Sequence, residues 1–138
     1  MNITFTFSNN GYKNVEVSCG TPDIGAIQAI IAHAVDLYAS EDFGTAKELR
    51  DLVADAHLTA KIDDASAPIG SPADVRRVSY EISGSGITLC SPATPGEDLY
   101  ASIHSASILA VQQNIDPYLF VTMIKAAIMH IPFIAVVM

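Results

Sequence analysis

The sequence predicts an α+β fold, a two-layer sandwich in which an antiparallel or mixed sheet of two hairpins plus a C-terminal strand packs against about four helices. Three observations predict it. Two pairs of segments alternate apolar and polar residues around a glycine-bearing turn, the period of a half-buried strand. Four segments place apolar residues at helical spacing behind a capping residue. The last stretch, Asp116 to Met138, is almost wholly apolar, with Lys125 and His130 as the only ionisable side chains after Asp116.

The first hairpin pairs Met1, Ile3, Phe5 and Phe7 with Val15, Val17 and Cys19 across Asn9-Asn10-Gly11. A two-residue loop at Asn10-Gly11 would set Phe5 opposite Glu16. A three-residue loop sets Phe5 opposite Val15 and Ile3 opposite Val17 and keeps one apolar face, so Gly11 is expected to be the left-handed residue of a bulged turn.

Thr21-Pro22-Asp23 then reads as N-cap, first-turn proline and helix-start acid, followed by Ile24, Ile27, Ile31, Val35 and Tyr38 at helical spacing, with Ile30 and Leu37 widening the stripe. Thr45-Ala46-Lys47-Glu48 is a capping box that opens a second helix to about Lys61. Its core face is expected to be Leu49, Leu52, Val53, Ala56 and Ala60, and its outer face Glu48, Asp51 and Asp55. The Pro, Gly, Ser and Asp content of Asp63 to Asp74 marks an exposed linker.

Val78, Tyr80 and Ile82 restart the alternation and pair back with Ile87 and Leu89 across Ser83-Gly84-Ser85-Gly86. Thr94-Pro95-Gly96-Glu97 is another capped start, for a helix through Leu99, Ile103, Ala106 and Ala110 to about Gln113. Asn114 and Ile115 turn the chain into a helical hairpin. Each half therefore reads strand, glycine turn, strand ending in cysteine, Thr-Pro cap, helix, helix. One reading is a ββαα duplication with halves 1–67 and 74–138; the other is that any hairpin followed by a helix would use such turns and caps.

Read as one helix, Tyr118 to Met138 would span about 31 Å, near the thickness of a bilayer core. Against a tail anchor, Lys125 within the apolar core would cost about 2.5–3.5 kcal/mol, no basic cluster flanks the segment, and Pro132 interrupts it. The parse that agrees with local signals has Asp116 as N-cap, Pro117 at the first helical position, a helix to about His130, a break at Ile131-Pro132 and a buried strand from Phe133 to Met138.

A chain of 138 residues has room for a single domain, 1–138, with a core of its own. Half of its residues are hydrophobic and only 16% are charged. Such a small domain cannot hide that much apolar surface alone, so a homo-oligomer is expected, with Phe133, Ile134, Val136 and Val137 at the subunit boundary. The net charge of −8 disfavours direct binding to nucleic acid or to an anionic membrane surface and favours a protein partner with a basic surface. Met1 leads into a strand rather than a basic and apolar leader, which reads as a cytoplasmic chain.

No residue is assigned to catalysis, to a cofactor or to a metal. Cys19 and Cys90 have no metal or redox spacing and read as buried or half-buried thiols. Cys19, at a strand end before a helix, is the weakly supported nucleophile. His33 and Asp36 share a helix face, but two ligands are not a site, and His57, His104 and His130 are distant in sequence. His104 and Ser105, being adjacent, point in different directions. His130 reads as a dipole-favoured residue at a helix end. Lys125 either reaches solvent or is held by a carboxylate, the sharper alternative being a catalytic lysine of lowered pKa. Ser83 to Gly86 opens no helix and lacks a P-loop lysine. Arg76 and Arg77 face opposite sides of a strand.

Charge distribution is more informative. Between Asp36 and Asp64 eight acids stand against three bases, so five of the eight net negative charges lie on one helix and its flanks. A solvated face that keeps an apolar protein in solution is the plain explanation. The functional one is a surface that steers toward a basic partner. The sequence thus points to a non-enzymatic, oligomeric interaction protein whose face of Glu48, Asp51 and Asp55 binds a basic macromolecule as an inhibitor or regulator. The alternatives are a small-molecule-binding protein or small enzyme with a pocket between sheet and helices, and an assembly protein.

Overall fold

The computed structural model describes residues 1–8, 11–65, 74–83 and 86–130. In order, the elements are β1 (Asn2–Phe7), β2 (Lys13–Ser18), α1 (Ile24–Ser40), α2 (Ala46–Ala65), β3 (Arg76–Ser83), β4 (Gly86–Leu89), α3 (Pro95–Gln112) and α4 (Pro117–His130). The strands form one antiparallel sheet, β2-β1-β3-β4, and with the four helices make an α+β sandwich. The expected final strand, with Phe133, Ile134, Val136 and Val137, lies outside the described residues, as does most of the linker.

Both hairpins have the register that a single apolar face demands. Ile3 stands opposite Val17 and Phe5 opposite Val15, while Tyr80 faces Leu89 and Ile82 faces Ile87. Ser8 N donates to Tyr12 O at 3.1 Å, leaving a three-residue loop that ends in Gly11 at φ +90°, a conformation glycine adopts without strain. The hairpins join through β1 and β3, where Ile3 faces Tyr80 and Phe5 faces Val78, so the inward residues of both line one core.

The helix starts differ in one place from expectation. Asp23, not Thr21, is the N-cap of α1: its Oδ1 accepts from Ala26 N at 2.8 Å, and Pro22 stands before the cap. A carboxylate there satisfies an otherwise orphaned amide and meets the positive helix end with a full charge, which a threonine hydroxyl cannot do. At α2 Thr45 Oγ1 accepts from Glu48 N at 3.2 Å, but its hydroxyl also reaches Glu48 Oε1 at 3.2 Å. The box at α3 is complete: Glu97 N donates to Thr94 Oγ1 at 3.1 Å and Thr94 N donates to Glu97 Oε1 at 3.0 Å. Arg76 from β3 also donates to Glu97. The Thr94 amide and the Arg76 guanidinium hold the Glu97 carboxyl below its usual range. Thr94→Ala is expected to lower stability by about 1 kcal/mol, seen as a fall of about 3–5 °C in melting temperature. No shift would mean that Arg76 alone anchors this helix start.

Packing settles which apolar residues are inside. In α1, Ile27, Ile30, Ile31, Val35 and Tyr38 are buried, as are Leu49, Val53, Ala56 and Ala60 of α2. Leu52, expected in that stripe, is 47% exposed because the buried positions recur at steps of four, three and four and leave it on the flank. Cys19 and Cys90, expected to be buried or half-buried, are both exposed. Cys19 sits just past β2 at φ +61°, in the corner that leads to α1, and Cys90 follows the short edge strand β4. The expected helical hairpin is also revised. Phe120 N still bonds Asp116 O at 3.0 Å at the predicted helix start, but α4 packs chiefly on α1, whereas α3 packs on α1 and α2.

The two halves interlock. α1 lies against α3, α4 and β4, and α3 lies against α1, α2, β2 and β3. Apart from the β3 contact, exchanging the halves leaves this pattern unchanged. Thr4 and Ser79, opposite each other on the central strands, bring their hydroxyls to 3.3 Å. His33 and His104, each the tenth residue of its helix, lie against Tyr80 and Phe5, the aromatic rings of the other half's central strand.

Candidate functional site

The expected face of Glu48, Asp51 and Asp55 exists as a surface. Spacings of three and four residues put these side chains on one side of α2, and all three are exposed. They border an open groove of about 540 Å³ whose apolar lining is Tyr38, Phe43, Leu52 and Leu99. Phe43 is 42% exposed, and its ring packs on Tyr38 with centroids 5.9 Å apart. Burial and the Glu48 carboxylate both push the Tyr38 phenol upward, so it stays protonated beneath the acids. A Cβ at Gly44 would meet the Tyr38 hydroxyl, so any larger residue at this corner would have to displace that side chain. Asp51 meets Lys47 at 3.2 Å, one turn away and well exposed, a pair that contributes about 0–1 kcal/mol. The acidic face thus borders a trough with an apolar lining.

A second polar cluster, at the junction of sheet and helices, was not anticipated. Asp98, in the first turn of α3, is buried and accepts from His33 Nε2 at 3.0 Å and from the Tyr80 hydroxyl at 2.5 Å. Ser102 Oγ donates to the Asp98 carbonyl at 2.7 Å and lies 3.0 Å from the Tyr80 hydroxyl. Burial raises the Asp98 carboxyl, but the hydrogen bonds from His33, Tyr80 and Ser102 and the His33 charge outweigh it and leave it below the usual range. Burial first, then the bond to Asp98, drives the Tyr80 phenol far upward, so Tyr80 acts only as a neutral donor.

The cluster ties α1, β3 and α3 together. An aspartate-oriented histidine resembles part of a nucleophilic relay, but the serine here is engaged by Asp98 and Tyr80 rather than by the imidazole. His33 thus pairs with Asp98 on another helix and not with Asp36, which is exposed. The missed residues had one legible clue: Asp98 and Ser102 lie one turn apart on the apolar face of α3, and polar residues there need a partner from another element.

The remaining candidates are dispersed. His104 packs on Tyr100 and Phe5 at centroid distances of 4.2 and 6.3 Å, and burial, aided by the Lys13 charge and opposed by Asp55, lowers its pKa to about 4. Ser105, its neighbour, is fully buried with a hydroxyl that meets no partner among the described residues. Lys125 is exposed on α4. Among the described residues no group of three or more His, Cys, Asp and Glu side chains could hold a metal ion, and no helix is long and apolar enough to cross a membrane. Comparison with protein families, with curated proteins and with solved structures finds no match to this chain.

Proposed function

We propose that the protein is a non-enzymatic interaction module whose α2 groove takes a basic, amphipathic segment of a macromolecular partner and so regulates or blocks it. The observation that carries this reading is the conjunction of Glu48, Asp51 and Asp55 with the exposed Phe43 and Leu52 around one trough. Carboxylates alone would attract any cation. An apolar floor between them selects a partner that presents lysine or arginine beside a hydrophobic side chain, and its burial supplies affinity that charge at a wet rim does not. The net charge of −8 assists encounter with such a partner at low salt. Self-association belongs to the same proposal, since Tyr118 and Leu119 leave apolar surface exposed on α4.

The test uses a short helical peptide with lysines on one face and leucines on the other, titrated into the intact chain. It should bind saturably, lose affinity as salt is raised, and bind about tenfold more weakly to a Glu48→Lys, Asp55→Lys variant. Asp51 is left in place because it also pairs with Lys47. Equal affinity for the variant, or equal binding of a peptide with glutamates in place of lysines, would overturn the reading.

A further inference from the structure

The opposite flank of the same helix carries a site of opposite character. Between α2 and α4 lies a cleft of about 410 Å³, more enclosed than the acidic groove. Ala54, Phe120, Val121 and Ile124 make its walls mostly apolar, and Phe120 stacks on the His57 ring at a centroid distance of 4.5 Å. Lys47, Arg50 and Lys125 also line it, three of only seven lysines and arginines in the chain. Asp51 is the one carboxylate there, and it is engaged by Lys47. In a protein of net charge −8, this cleft therefore carries a local positive excess.

His57 also lines the cleft. Both its ring nitrogens are sealed from solvent and meet no hydrogen-bond partner among the described residues. Burial, with the nearby Lys61 charge, keeps the ring below the usual histidine range, so it is neutral and has one N–H to give. With both nitrogens sealed, a ligand in the cleft meets the rest of the ring unless the ring turns.

We infer that the α2–α4 cleft binds a small amphipathic anion, with its apolar body between Phe120, Val121, Ile124 and Ala54 and its anionic head among Lys47, Arg50 and Lys125. The volume lies within the range of small-molecule sites, about 300–1,000 Å³, and fits a medium-length aliphatic chain or a pair of fused rings. The apolar walls select against inorganic anions. The cations select against the corresponding alcohol or amine. The site is distinct from the acidic groove, although Asp51 stands on the ridge between the two.

Decanoate, kept below its aggregation threshold, is the probe. Calorimetric titration of the intact chain should give saturable one-to-one binding, with decanol weaker and decyltrimethylammonium weaker still. Arg50→Gln with Lys125→Gln should weaken decanoate at least about tenfold. Lys125→Glu alone provides the same test if the double variant loses its native circular dichroism. The His57 ring protons should shift on titration. Unchanged affinity in these variants, decanol binding as tightly as decanoate, or acetate competing at equal concentration would each overturn the assignment. So would sedimentation showing that decanoate merely dissociates a dimer, because a second copy would then be the natural occupant.

Discussion

Asp98→Ala is expected to lower the unfolding free energy by about 3 kcal/mol, the largest effect of any single polar substitution here. The carboxylate is the common acceptor for His33, Tyr80 and Ser102, which come from α1, β3 and α3. Its side chain is 8% exposed and that of His33 is 20% exposed, so solvent cannot fully replace the lost bonds. Removal leaves the buried Tyr80 hydroxyl without its strongest acceptor and His33 Nε2 without its hydrogen-bond partner. Asp98→Asn keeps the volume and one acceptor oxygen and should recover about half of the loss. Denaturant midpoints at unchanged slope would measure both. A loss below about 1 kcal/mol for the alanine variant would mean that the cluster adds little and that apolar packing alone joins α1 to α3.

The second large effect is a loss of stability in mild acid. The His104 pKa stands at about 4 in the folded protein against an ordinary 6.5. As pH falls below 6.5 the unfolded chain takes up a proton that the folded protein refuses, so stability declines until about pH 4, where both states are protonated. The full loss is about 3 kcal/mol. His57, lowered by burial and by Lys61, adds to the decline with the same sign, beginning from the same ordinary value. Asp98 acts in a separate window. Its depressed carboxyl contributes stability that is fully present above the ordinary aspartate range and is lost only as pH falls through the folded value, below about 4. His104→Phe preserves the ring contacts with Phe5 and Tyr100 and should flatten most of the slope between pH 6.5 and 4 while leaving the steeper fall below it. A variant with the wild-type slope throughout would show that His104 is protonated in the folded state.

Much of the architecture was legible because it rests on local rules. Alternation located the strands, and the demand for one apolar face selected the three-residue turn at Gly11. Glu97 three residues after Thr94 announced a box that closes as written. The acidic face of α2 was legible for the same reason, since its three carboxylates lie on one chain segment with helical period. Less legible was anything that joins distant elements. Nothing near Asp98 in sequence reveals that His33 and Tyr80 converge on it. Nothing in α2 alone reveals that Phe43 and Leu99 turn the acidic face into a trough, or that α4 brings Lys125 and Phe120 beside Arg50 and His57.

By itself, then, the sequence determined the order ββααββαα, the inward face of each strand, three of the four helix caps and the concentration of negative charge on α2 and its flanks. These follow from periods of two and 3.6 residues and from the bonding needs of helix ends. Tertiary structure alone decided that Leu52 lies outside, that α4 packs on α1, and that both cysteines are exposed. It also decided that His33 pairs with Asp98 rather than Asp36, and that one helix carries an acidic groove on one flank and a cationic cleft on the other. The reason is physical: a side chain's burial and partners depend on which surfaces meet, and those surfaces belong to residues far apart along the chain.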